Sequence, residues 1–99
     1  MVLRHCGERE PVELLERQAI KFVMVNDPTR ARIDCLASFA ALHDIEGGEA
    51  PDREERMRRF ERNRLAFETI AASKYDEGLA EPNGTVIVKT EDVRRPEFR

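Results

Sequence analysis

Residues 52–77, bounded by Pro51 and Gly78, repeat their apolar side chains at helical spacing. From Phe60, steps of three, four and seven reach Met57, Asn63, Arg64, Phe67, Ala71 and Tyr75, with Ile70 on the flank. Such a stripe needs a second layer to pack against. Asp52 and Glu55 stand at capping-box spacing, and Gly78 is suited to the left-handed residue after a helix end. The pairs Asp52/Arg56, Glu54/Arg58 and Glu55/Arg59 each place the acid four residues before the base, the supportive orientation. As one helix the 26 residues would span about 39 Å. A compact chain of this length has a radius of gyration of about 12–13 Å, equivalent to a sphere about 33 Å across. The helix must therefore overhang, bend or lean on a partner.

The second layer is readable as strands. Ile20-Lys21-Phe22-Val23-Met24-Val25 is β-branched and aromatic, and Asn26-Asp27-Pro28-Thr29 closes it with turn chemistry. Ala31-Arg32-Ile33-Asp34-Cys35-Leu36 alternates as the returning strand of a hairpin. Ser38 reads as the N-cap of a short helix over residues 39–46, stopped by Gly47-Gly48. Pro82-Asn83-Gly84 is a turn, Thr85-Val86-Ile87-Val88-Lys89 a third strand, and Thr90-Glu91-Asp92-Val93 a cap and single turn. The expected fold is α+β with two layers: a three-stranded, mainly antiparallel sheet in β-β-α-α-β order, with helices packed on one face. Residues 1–18 are expected to be a lead-in, its first ten residues mobile and 11–18 a short helix or an extended segment. Residues 19–95 form the domain and 96–99 a tail. Alternation makes Phe22, Met24, Ile33, Cys35, Val86 and Val88 the candidate inner positions, but the first strand is apolar on both sides and does not fix which face goes inward. In that arrangement Val23, Val25 and Ile87 would lie on an open face, covered by either Val12-Leu14-Leu15 or a second copy of the chain.

Composition narrows the class. Apolar residues at 40% suffice for a packed core against 37% charged, so wholesale disorder is not expected. No apolar run reaches the ~18 residues of a membrane span. The start, Met1 to Glu8, lacks the apolar region of a secretory leader, and a cytoplasmic location is expected. Without that leader, Asn83-Gly84-Thr85 is a turn and not a glycosylation acceptor. Cys6 and Cys35 have neither disulfide-framework nor zinc spacing. No metal, cofactor or catalytic signature is found, which leans against an enzyme without excluding one.

The run Ile33-Asp34-Cys35-Leu36-Ala37-Ser38 with Ala41-Leu42 resembles a family of small bacterial proteins. So do Phe60, Asn63-Arg64, Phe67-Glu68, Ile70-Ala71 and Lys74-Tyr75, with Gly84, Val86 and Val88 ahead of Glu91-Asp92-Val93. The family is domain of unknown function 1488, and the resemblance spans roughly residues 20–93. It departs at Phe39-Ala40-Ala41, where an acidic first turn is more usual, and in the long lead-in. The resemblance implies a compact α+β fold and no assigned activity.

Three sets of residues are candidates for function. Arg64 lies near the centre of an apolar stripe, and a charge there must be paired or must snorkel outward. It is either bonded to a carboxylate such as Asp34, Asp44 or Asp92, or forms a ligand or anion site with Asn63. Residues 52–64 hold six basic and four acidic side chains, so Arg53, Arg56, Arg58, Arg59 and Arg62 are candidates for nucleic-acid contact. The interleaved acids argue instead for a solvated helix face. His43-Asp44 are neighbours about 100° apart on a helix and poorly placed to act as a pair. Cys35 is expected to be buried and Cys6 exposed. The leading expectation is a non-enzymatic protein-interaction domain, with a homodimer as one form of it.

Overall fold

The computed structural model describes residues 1–49 and 52–95. Pro51 and the tail at 96–99 lie outside the described residues. In chain order the elements are β1 (Leu3–His5), β2 (Val12–Leu14), a 3₁₀ turn (Leu15–Arg17), β3 (Ala19–Asn26) and β4 (Arg32–Ser38). Helices α1 (Phe39–Glu46), α2 (Arg53–Arg62) and α3 (Arg64–Asp76) follow, then β5 (Val86–Val88) and the single turn α4 (Thr90–Val93).

The hairpin of β3 and β4 is the centre of the sheet, with Phe22 opposite Cys35 and Val23 opposite Asp34. Its turn is built locally. Asn26 N–H donates to the Ala31 carbonyl at 2.8 Å, and Thr29 N–H donates to Asn26 Oδ1 at 3.3 Å. The sheet is larger than expected, with five strands among the described residues and not three. The additional two come from the lead-in: β1 pairs with residues 24–26 of β3 and β2 with residues 19–21. It is also mixed, because β5 joins β4 in parallel. The three intervening helices supply the long crossover a parallel pair requires.

Capping fixes the helix starts. Ser38 Oγ accepts from Ala41 N–H at 3.0 Å, and Asp52 Oδ1 accepts from Glu55 N–H at 2.9 Å. Gly47 (φ +73°) and Gly78 (φ +75°) take the left-handed conformation after α1 and α3. At α4 the N-cap is Lys89, not Thr90, and Asp92 accepts its backbone N–H at 2.8 Å. The expected 26-residue helix is instead two, interrupted at Asn63 (φ −113°, ψ 15°). There the Asn63 amide donates to the Arg59 carbonyl at 2.8 Å, competing with the backbone ladder. The interruption brings the Phe60 and Phe67 rings together at 5.7 Å and keeps the domain within 38 × 29 × 23 Å.

One cluster forms the core. Ile20, Phe22 and Met24 of β3, Cys35 and Ala37 of β4, and Val86 and Val88 of β5 meet Leu42, Phe60, Phe67, Ile70 and Val93 from the four helices. These strand residues share one face of the sheet, as alternation predicts. Residues of the opposite parity, Ala19, Val23 and Leu36, lie outside that cluster. The segment at residues 12–15 does not cover them, because β2 pairs edge to edge with β3 in the sheet. No helix among the described residues is long and apolar enough to cross a membrane.

Candidate functional site

Four of the five arginines of α2 are engaged by acids of this chain. Arg56 reaches back 43 residues to Glu13 of β2 through Nη2 (2.8 Å) and Nε (3.3 Å), and stacks on Phe39 at 4.6 Å. Asp52, its expected i,i+4 partner, serves as the N-cap instead. Arg58 meets Glu55 at 3.3 Å and Glu54 at 3.7 Å. Arg59 is buried beneath α1, donating to the carbonyls of Leu42 and Gly48 and pairing with Glu46 at 3.4 Å. Arg62 holds Glu46 at 2.8 Å and Glu55 at 3.0 Å. Its hydrogen bond to Glu46 is the main reason that carboxyl is held below the usual range. Of the five candidates for nucleic-acid contact, Arg53 is the one without an ion-pair partner among the described residues.

Arg64 and Asn63 serve different neighbours. Arg64 Nε donates to Glu68 Oε2 at 3.2 Å and Nη1 to Glu61 at 3.4 Å, while its guanidinium lies 5.8 Å from the Phe60 ring centroid. Asn63 donates to Glu46 at 2.6 Å. The three carboxylates expected at Arg64 are elsewhere. Asp44 pairs with Arg94 at 2.6 Å, Asp92 with Lys74 at 2.8 Å, and Asp34 is exposed on the other face of the sheet.

Glu68 is buried and also holds His5 Nδ1 at 2.7 Å. This ties β1 to α3 and leaves His5 Nε2 toward Gly7, where a Cβ would stand 3.9 Å away. A cleft of about 380 Å³ opens there, lined by residues that include His5, Arg9, Glu10, Glu61 and Arg64. A carboxylate orienting an imidazole is an acid–base geometry. The cleft lining holds no hydroxyl or thiol to receive that help, and Glu10 and Glu61 oppose the charges of Arg9 and Arg64. An anion would gain little there.

Two further arrangements are structural. Lys74 Nζ donates at 2.8 Å to both Asp92 Oδ2 and the Ile87 carbonyl, joining α3 to β5 and α4. Its place seven residues after Phe67 marks it as facing inward, a signal the apolar stripe passed over. Cys35 is buried, and desolvation pushes its thiol up to about 12, well away from a reactive thiolate. Cys6, expected to be exposed, is buried as well. His43 is half-buried on α1, where its Nε2 has no hydrogen-bond partner among the described residues. Among the described residues no three His, Cys, Asp or Glu side chains gather as a cation site.

What is left is the sheet face turned away from the helices. Val23 and Leu36 form its floor, only 5% and 3% exposed. Around them stand half-buried Leu14, Lys21, Val25 and Ile87. Toward the β2 side, Val12 (46%) and Leu15 (66%) are exposed. The charges at its margin are largely paired: Arg4 with Asp27 at 3.2 Å, and Arg32 with Glu8. Lys21 and Asp34 differ, with no ion pair among the described residues.

A family model described as protein of unknown function (DUF1488) matches residues 9–88. The crystal structure of a protein of unknown function from the DUF1488 family of Shewanella loihica PV-4 superposes with a TM-score of 0.78. Its sequence is 17% identical, and the match covers 89% of this chain and 92% of that one. Likeness at that identity carries the fold. No curated protein matches the chain.

Proposed function

Because the chain belongs to the DUF1488 family of unknown function, we propose that it is a non-enzymatic protein-interaction domain that docks a partner on the helix-free face of its sheet. One observation carries the reading. Among the described residues all four helices pack on one face, while the other carries exposed Val12 and Leu15 and half-buried Val25 and Ile87 around buried Val23 and Leu36, with no described helix over them. Apolar side chains grouped on a surface lose water when a partner covers them, and that is the driving force for association. The polar alternatives are less well supplied. The cleft beside Arg64 carries opposing charges, and the arginines of α2 are mostly neutralised by neighbouring acids. Site-specific photo-crosslinking in cells tests the proposal. A photoreactive residue placed at Leu15, Val25 or Ile87 is expected to yield protein adducts. The same residue at Leu65, exposed on the helix side, or at Arg53 is expected to yield none. Adducts from the helix side alone, or from no position, would refute the proposal.

A further inference from the structure

Resting on that reading, we infer that the occupant of the open face is a second copy of this chain, packed sheet against sheet about a two-fold axis. The face is self-complementary in charge. Lys21 stands opposite Leu36 and Val23 opposite Asp34, so the four make a rectangle across β3 and β4. The cation and the acid occupy one diagonal, the two apolar side chains the other. Both charged side chains lack an ion pair among the described residues, whereas Arg4 and Arg32 on the same face have theirs.

An isologous interface requires that each residue meet the copy of the one related to it by the axis. A face-to-face pair of sheets has its axis in the plane between them. Laid along the Val23–Leu36 diagonal, the axis brings each of these buried positions over its own copy, and the accessible apolar surface beside them is that of half-buried Val25 and Ile87. The axis also exchanges the other diagonal, so that Lys21 stands over Asp34 of the second copy, twice. With strands about 4.8 Å apart and alternate residues about 6.8 Å apart, the two are aligned to within about 3 Å in projection. An extended lysine and a short aspartate span the ~10 Å between packed sheets. The same geometry crosses the strands of the two copies at about 70°, near the orthogonal class of sheet packing. Axes parallel or perpendicular to the strands set each charge against an apolar side chain, which leaves it desolvated and unpaired.

Charge reversal tests this with the full-length chain in sedimentation equilibrium. The wild type is expected to dimerise. Lys21→Glu and Asp34→Lys, each alone, place like charges face to face, and each is expected to weaken self-association about 100-fold or more. Mixing the two variants restores opposite charges at both contacts, and a heterodimer of near wild-type affinity is expected. Far-UV circular dichroism and thermal midpoints close to wild type show that each variant is folded. A wild type that remains monomeric, or single variants that dimerise like wild type, would overturn the inference. So would a mixture that stays monomeric. Adducts to a different protein from the face positions in the crosslinking experiment would leave the interaction reading standing without this one.

Discussion

Lys74→Met removes one ammonium group and leaves most of its aliphatic stem in place. In the folded chain that ammonium sits 2.8 Å from both Asp92 Oδ2 and the Ile87 carbonyl, with the two side chains 10% and 8% exposed. Breaking a buried pair by deleting one partner costs about 3–5 kcal/mol, because the remaining charge is stranded. Asp92 retains the Lys89 backbone N–H at 2.8 Å, which moderates the loss, while the Ile87 carbonyl loses its side-chain donor. About 3 kcal/mol is therefore expected, out of the ~5–15 kcal/mol typical of a domain. The thermal midpoint should fall by about 12–24 °C. Urea denaturation followed by circular dichroism measures it, with an unchanged slope showing that the unfolded state is the same. Adding Asp92→Asn should cost less than the sum of the two single changes, since no buried charge then remains unpaired. A loss under about 1 kcal/mol, or strict additivity, would refute the view that this pair locks α3 to β5 and α4.

The other expectations are as follows. The Cys35 thiol, pushed up to about 12 in the folded chain from an ordinary 9.0, contributes stability that is complete below pH 9 and is lost as pH rises toward 12. Cys35→Ala should remove that part of the alkaline slope, and thiol reagents at pH 8 should modify position 35 only on unfolding. The Glu46 carboxyl is lowered chiefly by its hydrogen bond to Arg62, so its contribution is present above the ordinary carboxylate range and lost as pH falls through the lowered value. Arg62→Met should flatten the acid limb of a stability–pH curve, and an unaltered limb would count against the pairing. Ser38→Ala deletes the acceptor for Ala41 N–H and should cost about 1 kcal/mol in chemical denaturation, while Ser38→Asn should cost less.

Features written within a few residues of one another were legible in the sequence. The Asn26 turn, the Ser38 and Asp52 caps and the left-handed glycines at 47 and 78 depend on neighbours three to five positions away. Alternation grouped Phe22, Met24, Cys35, Val86 and Val88 as candidate inner positions, but β3 is apolar on both sides and only packing against the helices decided which face is the core. Strands β1 and β2 were missed because three residues carry no period, and each is a strand only by virtue of its pairing with β3. Arg56 shows the same limit. Helical spacing assigned it to Asp52, yet Asp52 is consumed at the cap and Glu13, on the edge strand β2, offers a two-point partner. Arg64 was recognised as a charge near the core, but its acids turned out to be Glu61 and Glu68. Glu68 is in turn tied to His5 across 63 residues, a contact that no local pattern can announce.

By itself, the sequence determined the hairpin, the starts of α1 and α2 at Ser38 and Asp52, the stops at Gly47 and Gly78, and which residues of a strand share a face. Those follow from steric and hydrogen-bonding preferences within a turn of chain. Only the tertiary structure decided that the sheet has five strands, that β5 runs parallel to β4, and that the long helical stretch divides at Asn63. It alone showed which acids the paired arginines take, and that Lys21 and Asp34 have no ion pair among the described residues. Pairing between distant segments is a competition among many partners of similar chemistry. Its winner is set by where the packed backbone places each group and how deeply it buries it.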